Sequence, residues 1–154
     1  MRQHLVDELM LALTDLQNAS EMADAAVSER LGLNRTDSRC VAYLITRGPM
    51  ASGELAELAG LTPGALTVAV DRLEKAGFAE RVRDQADRRR VLIRPTEKAR
   101  ALARDSWGQA VKEAEAQFAA YTDEQLVLLT EFLKGQVAQQ RRNAERVRDS
   151  STWA

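Results

Sequence analysis

The 154-residue sequence has little of what most metal-binding and catalytic sites require. It contains one cysteine, Cys40, and one histidine, His4. An internal disulfide and a zinc site built from several Cys and His ligands are therefore excluded. Neither a GxGxxG nor a GxxxxGK[ST] motif is present, so nucleotide-binding loops have no support. We expect no cofactor, no metal and no enzymatic activity.

Long apolar runs are also missing. No stretch reaches the ~18 apolar residues that a membrane helix needs. Asp7 and Glu8 interrupt the segment where a secretory signal would have its apolar core. Together with the single cysteine, this predicts a cytoplasmic protein without membrane contact. With 45% hydrophobic residues, the chain is expected to form one domain over residues 1–154.

Charge is unevenly distributed along the chain. In total there are 22 Lys and Arg against 23 Asp and Glu, yet residues 72–100 hold 10 basic and 5 acidic residues, whereas residues 1–30 hold 2 and 6. A local positive excess in an otherwise acidic protein is the pattern expected for contact with nucleic-acid phosphates. A solvated charged face gives the same pattern, and charge alone does not separate the two.

Apolar spacing and helix-capping residues predict the first two helices. Residues 4–30 place leucines at helical intervals, and Gly32 ends this long helix. Asn34 is predicted to cap a second helix, which ends at Gly48-Pro49. Cys40 lies on the apolar face of that second helix, where inert packing is favoured over oxidant sensing.

Two short helices follow, separated by only Gly60-Leu61-Thr62. Ser52 is predicted to cap the third helix and Thr62 the fourth, with Pro63 at its first helical position and Gly77 at its end. A turn this short forces the sharp crossing of a helix-turn-helix.

A hairpin and two long helices complete the predicted fold. Ala79–Val82 and Val91–Arg94 are β-compatible runs around an exposed tip, with Arg83 and Asp84 expected to pair at the base. Thr96 is predicted to cap a fifth helix reaching about residue 120. A capping box, Thr122 to Gln125, then begins a last helix reaching about residue 148, with residues 149–154 frayed. The fold class is mainly α: a winged helix-turn-helix with a small β-hairpin wing, flanked by long N- and C-terminal helices.

The order of three motifs resembles the MarR family of transcriptional regulators, over about Leu5 to Arg146. The motifs are Gly53-Glu54-Leu55-Ala56; Val70-Asp71-Arg72-Leu73 followed by Ala76-Gly77-Phe78; and Arg81 to Arg89 leading to Pro95-Thr96. The family commonly has leucine at the position of Pro95, a minor departure.

This resemblance implies a homodimer that binds a palindromic double-stranded DNA operator. It implies a winged-helix DNA-binding lobe over about residues 33–96 and dimerisation helices over residues 1–32 and 97–148. It also implies a repressor released by a small-molecule effector, with a pocket between lobe and dimer region. The sequence does not identify the effector. Tyr43, Trp107 and Phe118 would either line such a pocket or pack in the core.

The apolar residues of the terminal helices independently favour a dimer. One small lobe cannot cover all of them, and they would leave a larger exposed patch than monomers usually carry. They are Leu5, Leu9, Leu126, Leu129, Leu133 and Val137.

The fourth helix is the candidate recognition helix, whose N-terminal residues would reach base edges in the major groove. These candidates are Thr62, Pro63, Gly64, Ala65, Thr67 and Val68. Thr hydroxyls can bond to bases or phosphate, and Ala or Val can contact a thymine methyl. The N-terminal part offers no bidentate base reader before Arg72, so shape readout would contribute. Arg72 itself would contact phosphate or form an ion pair that fixes the wing or the third helix.

The hairpin tip supplies the remaining DNA contacts. Arg89 is the wing arginine of the family pattern and would enter the minor groove, oriented by a charge-assisted hydrogen bond that it donates to Asp87. Arg88 and Arg90 would contact phosphate or remain solvated. The alternative is that the whole tip is a solvated loop with no role in binding.

Other backbone contacts are expected near the starts of the second and third helices. Ser38, Arg39 and Ser52 could touch phosphate, which would position the protein without reading sequence. The leading hypothesis is a sequence-specific DNA-binding regulator. The alternative is a winged-helix protein-interaction module without DNA binding.

Overall fold

The computed structural model describes residues 1–149. Of residues 149–154, for which fraying is predicted, Asp149 is the last residue of α6 and the others lie outside that range. The predicted mainly α, winged helix-turn-helix fold is confirmed. In chain order the elements are α1 (Arg2–Leu31), α2 (Arg35–Arg47), β1 (Met50–Ala51), α3 (Ser52–Ala59), α4 (Pro63–Lys75), β2 (Ala79–Arg83), β3 (Val91–Pro95), α5 (Glu97–Phe118) and α6 (Asp123–Asp149). They form two compact units, Met1–Trp107 and Gly108 onwards, and α5 runs through the boundary.

Several predicted helix boundaries are confirmed by their capping bonds. Gly32 adopts the left-handed conformation, φ 64°, after α1, which a residue with a Cβ rarely adopts. The Asn34 side chain accepts a hydrogen bond from the Asp37 N–H at 2.9 Å. Thr62 accepts one from the Ala65 N–H at 3.2 Å. These caps satisfy N–H groups that the first turn of a helix leaves unpaired.

The prediction that Ser52 caps α3 is wrong, because α3 follows a strand, β1, that the sequence did not predict. Ala51 takes the N-cap position of α3 in an extended conformation, without a side-chain hydrogen bond. Its backbone is fixed there by pairing with Leu92 across β1 and β3, so Ser52 is already helical. A two-residue strand is too short to produce an alternating pattern in the sequence.

The three strands form an antiparallel sheet in the order β1-β3-β2. Ile93 of the central strand pairs with Met50 on one side and Arg81 on the other, and it is fully buried. The sheet therefore joins the hairpin to the helix-turn-helix, with Ile93 anchoring the wing in the core.

The core of the first unit combines apolar positions of α2, α3, α4 and β3. The largest fully buried side chains are Leu44, Leu55, Leu66, Leu73, Ile93, Val70 and Cys40. Those in α2, α3 and α4 follow the helical spacings in the sequence, and together they pack against the inner side of α4. The opposite side of that helix is left at the surface.

The long helices start as predicted but bury little. Thr96 caps α5 by accepting a hydrogen bond from the Ala99 N–H at 3.2 Å. At α6, the Thr122 N–H donates to Gln125 Oε1 at 2.9 Å and the Gln125 N–H donates to Thr122 Oγ1 at 3.3 Å. Ser28 is the one buried residue of α1, and α6 has none. Within residues 1–149, none of the helices is long and apolar enough to cross a membrane.

Candidate nucleic-acid interface

The outward side of α4 consists of small and β-branched side chains. The candidates named from the sequence all lie exposed there: Thr62, Pro63, Gly64, Ala65, Thr67 and Val68. Leu66, Ala69 and Val70 alternate with them and are buried. We call this exposed set the reading face. Its small side chains allow another molecule to approach the helix backbone closely.

Both hydroxyl groups of the reading face bond within the helix. Thr62 Oγ1 accepts from the Ala65 N–H, as described above. The Thr67 hydroxyl donates to the Pro63 carbonyl oxygen at 3.0 Å. The Thr67 proton is therefore used inside α4, a bond that Thr side chains commonly form to the preceding turn.

Arg72 forms a bidentate ion pair with Asp37 of α2. Arg72 Nε lies 2.8 Å from Asp37 Oδ2, and Nη2 lies 2.6 Å from Oδ1. The Asp37 side chain is 3% exposed, and Asn34 Nδ2 also donates to it at 2.9 Å. Hydrogen bonding to Asp37 raises the pKa of Arg72 above its ordinary value. Of the two roles left open for Arg72, phosphate contact or an ion pair, the structure shows an ion pair, and its partner lies on α2 instead of the wing or the third helix.

Sequence reasoning missed a second cluster, which ties the wing to the recognition helix. Arg81 of β2 donates to Asp71 Oδ1 at 2.8 Å and also bonds to Glu74. The Arg81 backbone N–H donates to Glu74 Oε1 at 2.8 Å. We call Asp71, Glu74 and Arg81 the wing clasp. The available signal was the spacing of the two acidic residues, which places both on one side of α4.

The wing tip is organised by backbone hydrogen bonds. Asp87 Oδ1 accepts from the Arg89 backbone N–H at 3.0 Å, and Asp87 O accepts from the Arg90 N–H at 2.9 Å. The predicted bond from Asp87 to the Arg89 side chain is therefore replaced by a local turn, which Asp forms readily with the N–H two residues on. Arg88, Arg89 and Arg90 are exposed.

The pair predicted at the base of the hairpin is also replaced. Asp84 Oδ1 accepts from the Ala86 N–H at 2.9 Å, and the Asp84 N–H donates to Arg90 O at 3.0 Å. In the part of the chain that the structure describes, no ion pair joins Arg83 to Asp84. The Asp84 carboxylate is committed to the turn within the tip.

Ser38 and Arg39 lie on the wall of a cavity. The Ser38 hydroxyl is buried and has no hydrogen-bond partner among the described residues, so the predicted phosphate contact is not available to it in this conformation. Arg39 Nη1 donates to Ala59 O at 3.2 Å, where it satisfies a carbonyl at the end of α3. Ser52 is exposed at the start of α3.

The cavity has a volume of about 250 Å³ and is lined by α1, α2 and Trp107 in the middle of α5. Tyr43 and Trp107 contribute aromatic walls, and the polar lining includes two arginines, Arg35 and Arg39, and one carboxylate, Asp24. Two of the three aromatic residues considered for a pocket therefore line one. Phe118 is 53% exposed and belongs to the second unit. The mixture suits a small molecule with a flat ring and an anionic or hydrogen-bonding substituent.

Cys40 lies in the core with no exposed surface. Burial, followed by the nearby Asp37 carboxylate, raises the pKa of its thiol from 9.0 to about 11. Because the thiolate is the reactive form, this environment makes the cysteine inert at neutral pH.

Comparison with known proteins supports the same reading of the lobe. The MarR family model matches residues 31–90. The chain is 38% identical over 108 residues to the uncharacterized HTH-type transcriptional regulator YcgE of Bacillus subtilis (strain 168), covering 70% of each chain.

Solved structures show the same fold. A MarR family protein from Bacillus stearothermophilus superposes with a TM-score of 0.63 at 21% identity, covering 92% of this chain and 99% of its own. NadR in complex with 4-hydroxyphenylacetate gives a TM-score of 0.63 at 22% identity, covering 82% of this chain and 89% of its own.

Proposed function

The chain belongs to the MarR family of DNA-binding transcriptional regulators, and from that premise we propose that it is a homodimeric repressor that binds a palindromic operator and is released by a small-molecule effector. The observation that carries the proposal is the joining of two surfaces. The wing clasp ties an arginine-bearing hairpin to the small-residue reading face of α4. Such a pair can occupy adjacent grooves of one duplex.

In the proposed complex, α4 enters the major groove and the wing lies over the neighbouring minor groove. Arg89 extends into the minor groove, where a narrow A·T-rich segment concentrates negative potential. Arg88 and Arg90 contact phosphates. The excess of positive charge over residues 72–100 supports this arrangement.

The proposed dimer determines the form of the operator. Two symmetry-related α4 helices would enter successive major grooves on one side of the duplex. We expect an inverted repeat whose half-sites are centred about 10 base pairs apart. A footprint over a single unsymmetrical half-site would contradict this. Binding to a chromosomal operator is the basis of the proposed cytoplasmic location.

The cavity beside α2 is the proposed effector site. NadR has been crystallised with 4-hydroxyphenylacetate, and the residues here suit a ligand of similar chemistry. Tyr43 and Trp107 would contact a ring, and Arg35 or Arg39 would contact an anionic group. A small aromatic acid is therefore the proposed class.

Selection of bound fragments from genomic DNA, followed by titration of the selected duplex at two salt concentrations, tests the proposal. We expect tight, salt-sensitive binding that falls sharply in Arg88→Ala/Arg89→Ala. Arg141→Ala/Arg142→Ala removes the same charge from another adjacent, exposed arginine pair and should have much less effect. Salt-independent or absent duplex binding would instead favour a protein-docking winged helix without DNA binding.

A further inference from the structure

We propose that the reading face recognises its half-site through thymine 5-methyl groups, with Val68 as the specificity-determining residue. This inference rests on the proposed function, because it assumes that α4 enters the major groove. It goes beyond that function by naming the chemical group that is read and the side chain that reads it.

The first argument is that the polar groups of the reading face have partners within the protein. Thr62 Oγ1 accepts the Ala65 N–H and the Thr67 hydroxyl donates to Pro63 O. Recruiting the Thr67 proton to a base would break the bond it already makes. Pro63, Gly64 and Ala65 offer no polar side-chain atom at all.

The second argument concerns Arg72, which with Lys75 is one of the two basic residues of α4, both in its last turn. Two of its nitrogens bond to Asp37 at 2.8 and 2.6 Å. The carboxylate is buried, so moving the guanidinium onto a guanine would leave a buried charge without its main partner, which is strongly unfavourable. Arg72 therefore stays on the α2 side of the helix and is not the base reader.

The third argument is the position and shape of Val68. Its side chain is 54% exposed in the second turn of α4, although it is large and apolar. Ala65 lies one turn earlier on the same side, and Gly64 has open space where a Cβ would stand. Small neighbours allow close approach, and a β-branched residue in a helix strongly prefers one χ1 rotamer. Val68 is thus a conformationally restricted, exposed apolar side chain of the reading face, beside the start of α2.

Only one major-groove feature of the four base pairs is apolar, namely the C5-methyl group of thymine. Deoxyuridine lacks that methyl group but keeps the same hydrogen-bonding edge. The exchange leaves the minor groove unchanged, so contacts of the wing are unaffected. Replacing thymine by deoxyuridine therefore isolates the proposed contact.

The experiment replaces each thymine of the selected operator by deoxyuridine, symmetrically in both half-sites, and measures the Kd for each duplex. At one position the affinity of the wild-type protein should fall about fourfold per half-site, the scale of burying one methyl group. Substitution in both half-sites should give a fall of roughly fifteenfold. Val68→Ala should bind the thymine operator more weakly and lose the difference between thymine and deoxyuridine at that position.

Matched variants separate the methyl contact from a general loss of binding. Val68→Thr keeps the branched shape but exchanges one methyl for a hydroxyl, and should retain part of the discrimination. Thr67→Ala changes the adjacent exposed residue and should keep the full difference between thymine and deoxyuridine. Thermal unfolding of each variant checks that the lobe is folded, and Val68→Thr serves if Val68→Ala does not fold.

Two results would overturn the inference while leaving the proposed function intact. One is salt-sensitive operator binding that is indifferent to every deoxyuridine substitution. The other is discrimination at the same thymine that persists in Val68→Ala, which would mean that another side chain meets the methyl group. If the wild-type protein binds no duplex, the proposed function itself fails and the inference with it.

Discussion

Apolar residues are buried in the core formed by α2, α3, α4 and β3, but they are exposed on the last helix, α6. In that core, Leu44, Leu73 and Ile93 have no exposed surface. In α6 no residue is buried, and Val127 and Leu128 are 63% and 69% exposed. One region is stabilised by contacts within its own chain, whereas the other carries apolar surface that association would cover. The difference separates residues that maintain the fold from residues that are available for the proposed dimer contact.

The largest expected effect comes from charging the exposed apolar surface of α6. Leu129→Asp/Leu133→Asp should dissociate the proposed dimer, because carboxylates cannot be buried without partners at an interface. Light scattering should change from twice 17.1 kDa to 17.1 kDa, with operator affinity greatly reduced. Gln139→Asp/Gln140→Asp adds the same charge at exposed polar positions of α6 and should remain dimeric. A wild-type particle of 17.1 kDa at micromolar concentration would contradict the dimer.

The next largest effect is expected in the core of α2, α3, α4 and β3, which is stabilised by contacts within one chain. Leu73→Ala removes a fully buried side chain and should lower the free energy of unfolding by about 2–5 kcal/mol. Because the defect lies within one chain, the loss measured by urea denaturation should not depend on protein concentration once dimerisation is blocked by the α6 substitutions. Loss of less than about 1 kcal/mol would show that this position is not part of a close-packed core.

A smaller effect is expected at the wing, the exposed part of the lobe that is proposed to have DNA as its partner. Arg89→Ala should weaken operator binding by roughly 1–3 kcal/mol, whereas Arg88→Ala should cost less and act evenly on operator and random duplex. Each lost phosphate contact should lower the salt slope by about one. Equal losses for Arg88 and Arg89 would make the tip an unspecific basic loop.

The structure adds a sharper control at Asp87. Its oxygen accepts the Arg89 backbone N–H, so Asp87→Asn, which keeps an acceptor oxygen, should preserve the turn and operator binding. Asp87→Ala removes the acceptor and should reproduce part of the Arg89 loss. Tighter binding by Asp87→Ala would show that charge alone governs the tip.

Cys40 should make stability depend on alkaline pH. Its pKa is raised from 9.0 to about 11, so between these values the folded state keeps a proton that the unfolded chain releases. Stability contributed by the neutral thiol is therefore present below pH 9 and lost as the pH rises towards 11. Thermal melts should show a steeper decline for wild type than for Cys40→Ala in this window. Parallel declines would contradict the raised pKa.

The smallest effect, close to zero, is expected for oxidation of the same residue. Because the thiol is buried and protonated at neutral pH, peroxide should not alter DNA binding or release in wild type or in Cys40→Ser. A response in wild type that disappears in Cys40→Ser would make Cys40 a sensor.

Local patterns were sufficient to predict most of the fold. The caps at Asn34 and Thr62 and the apolar spacing of α4 depend on residues within one or two turns, so they can be read from the sequence. Ser52 was misassigned because the pairing of Ala51 with Leu92 joins residues far apart in the chain. Short strands of this kind depend on their partner more than on their own residues.

The candidate interface was predictable in its location but not in its connections. The reading face and the arginine tip follow from helix periodicity and charge. The partners of Arg72 and Arg81 do not, since Asp37 lies 35 positions from Arg72 and Glu74 seven positions from Arg81. Where several acidic residues are available, only the fold determines which one each arginine meets.

Helix α2 gives the proposed regulation a thermodynamic consequence. Asp37 holds the recognition helix through Arg72, and the next residue, Ser38, lines the cavity. A cavity ligand and an operator would thus act on consecutive residues of the same helix. If the effector weakens operator binding about tenfold, reciprocity requires that operator-bound protein bind the effector about tenfold more weakly. Protein bound to an operator would then need a higher effector concentration for release than free protein needs for binding the effector. Each additional operator copy would raise that concentration further.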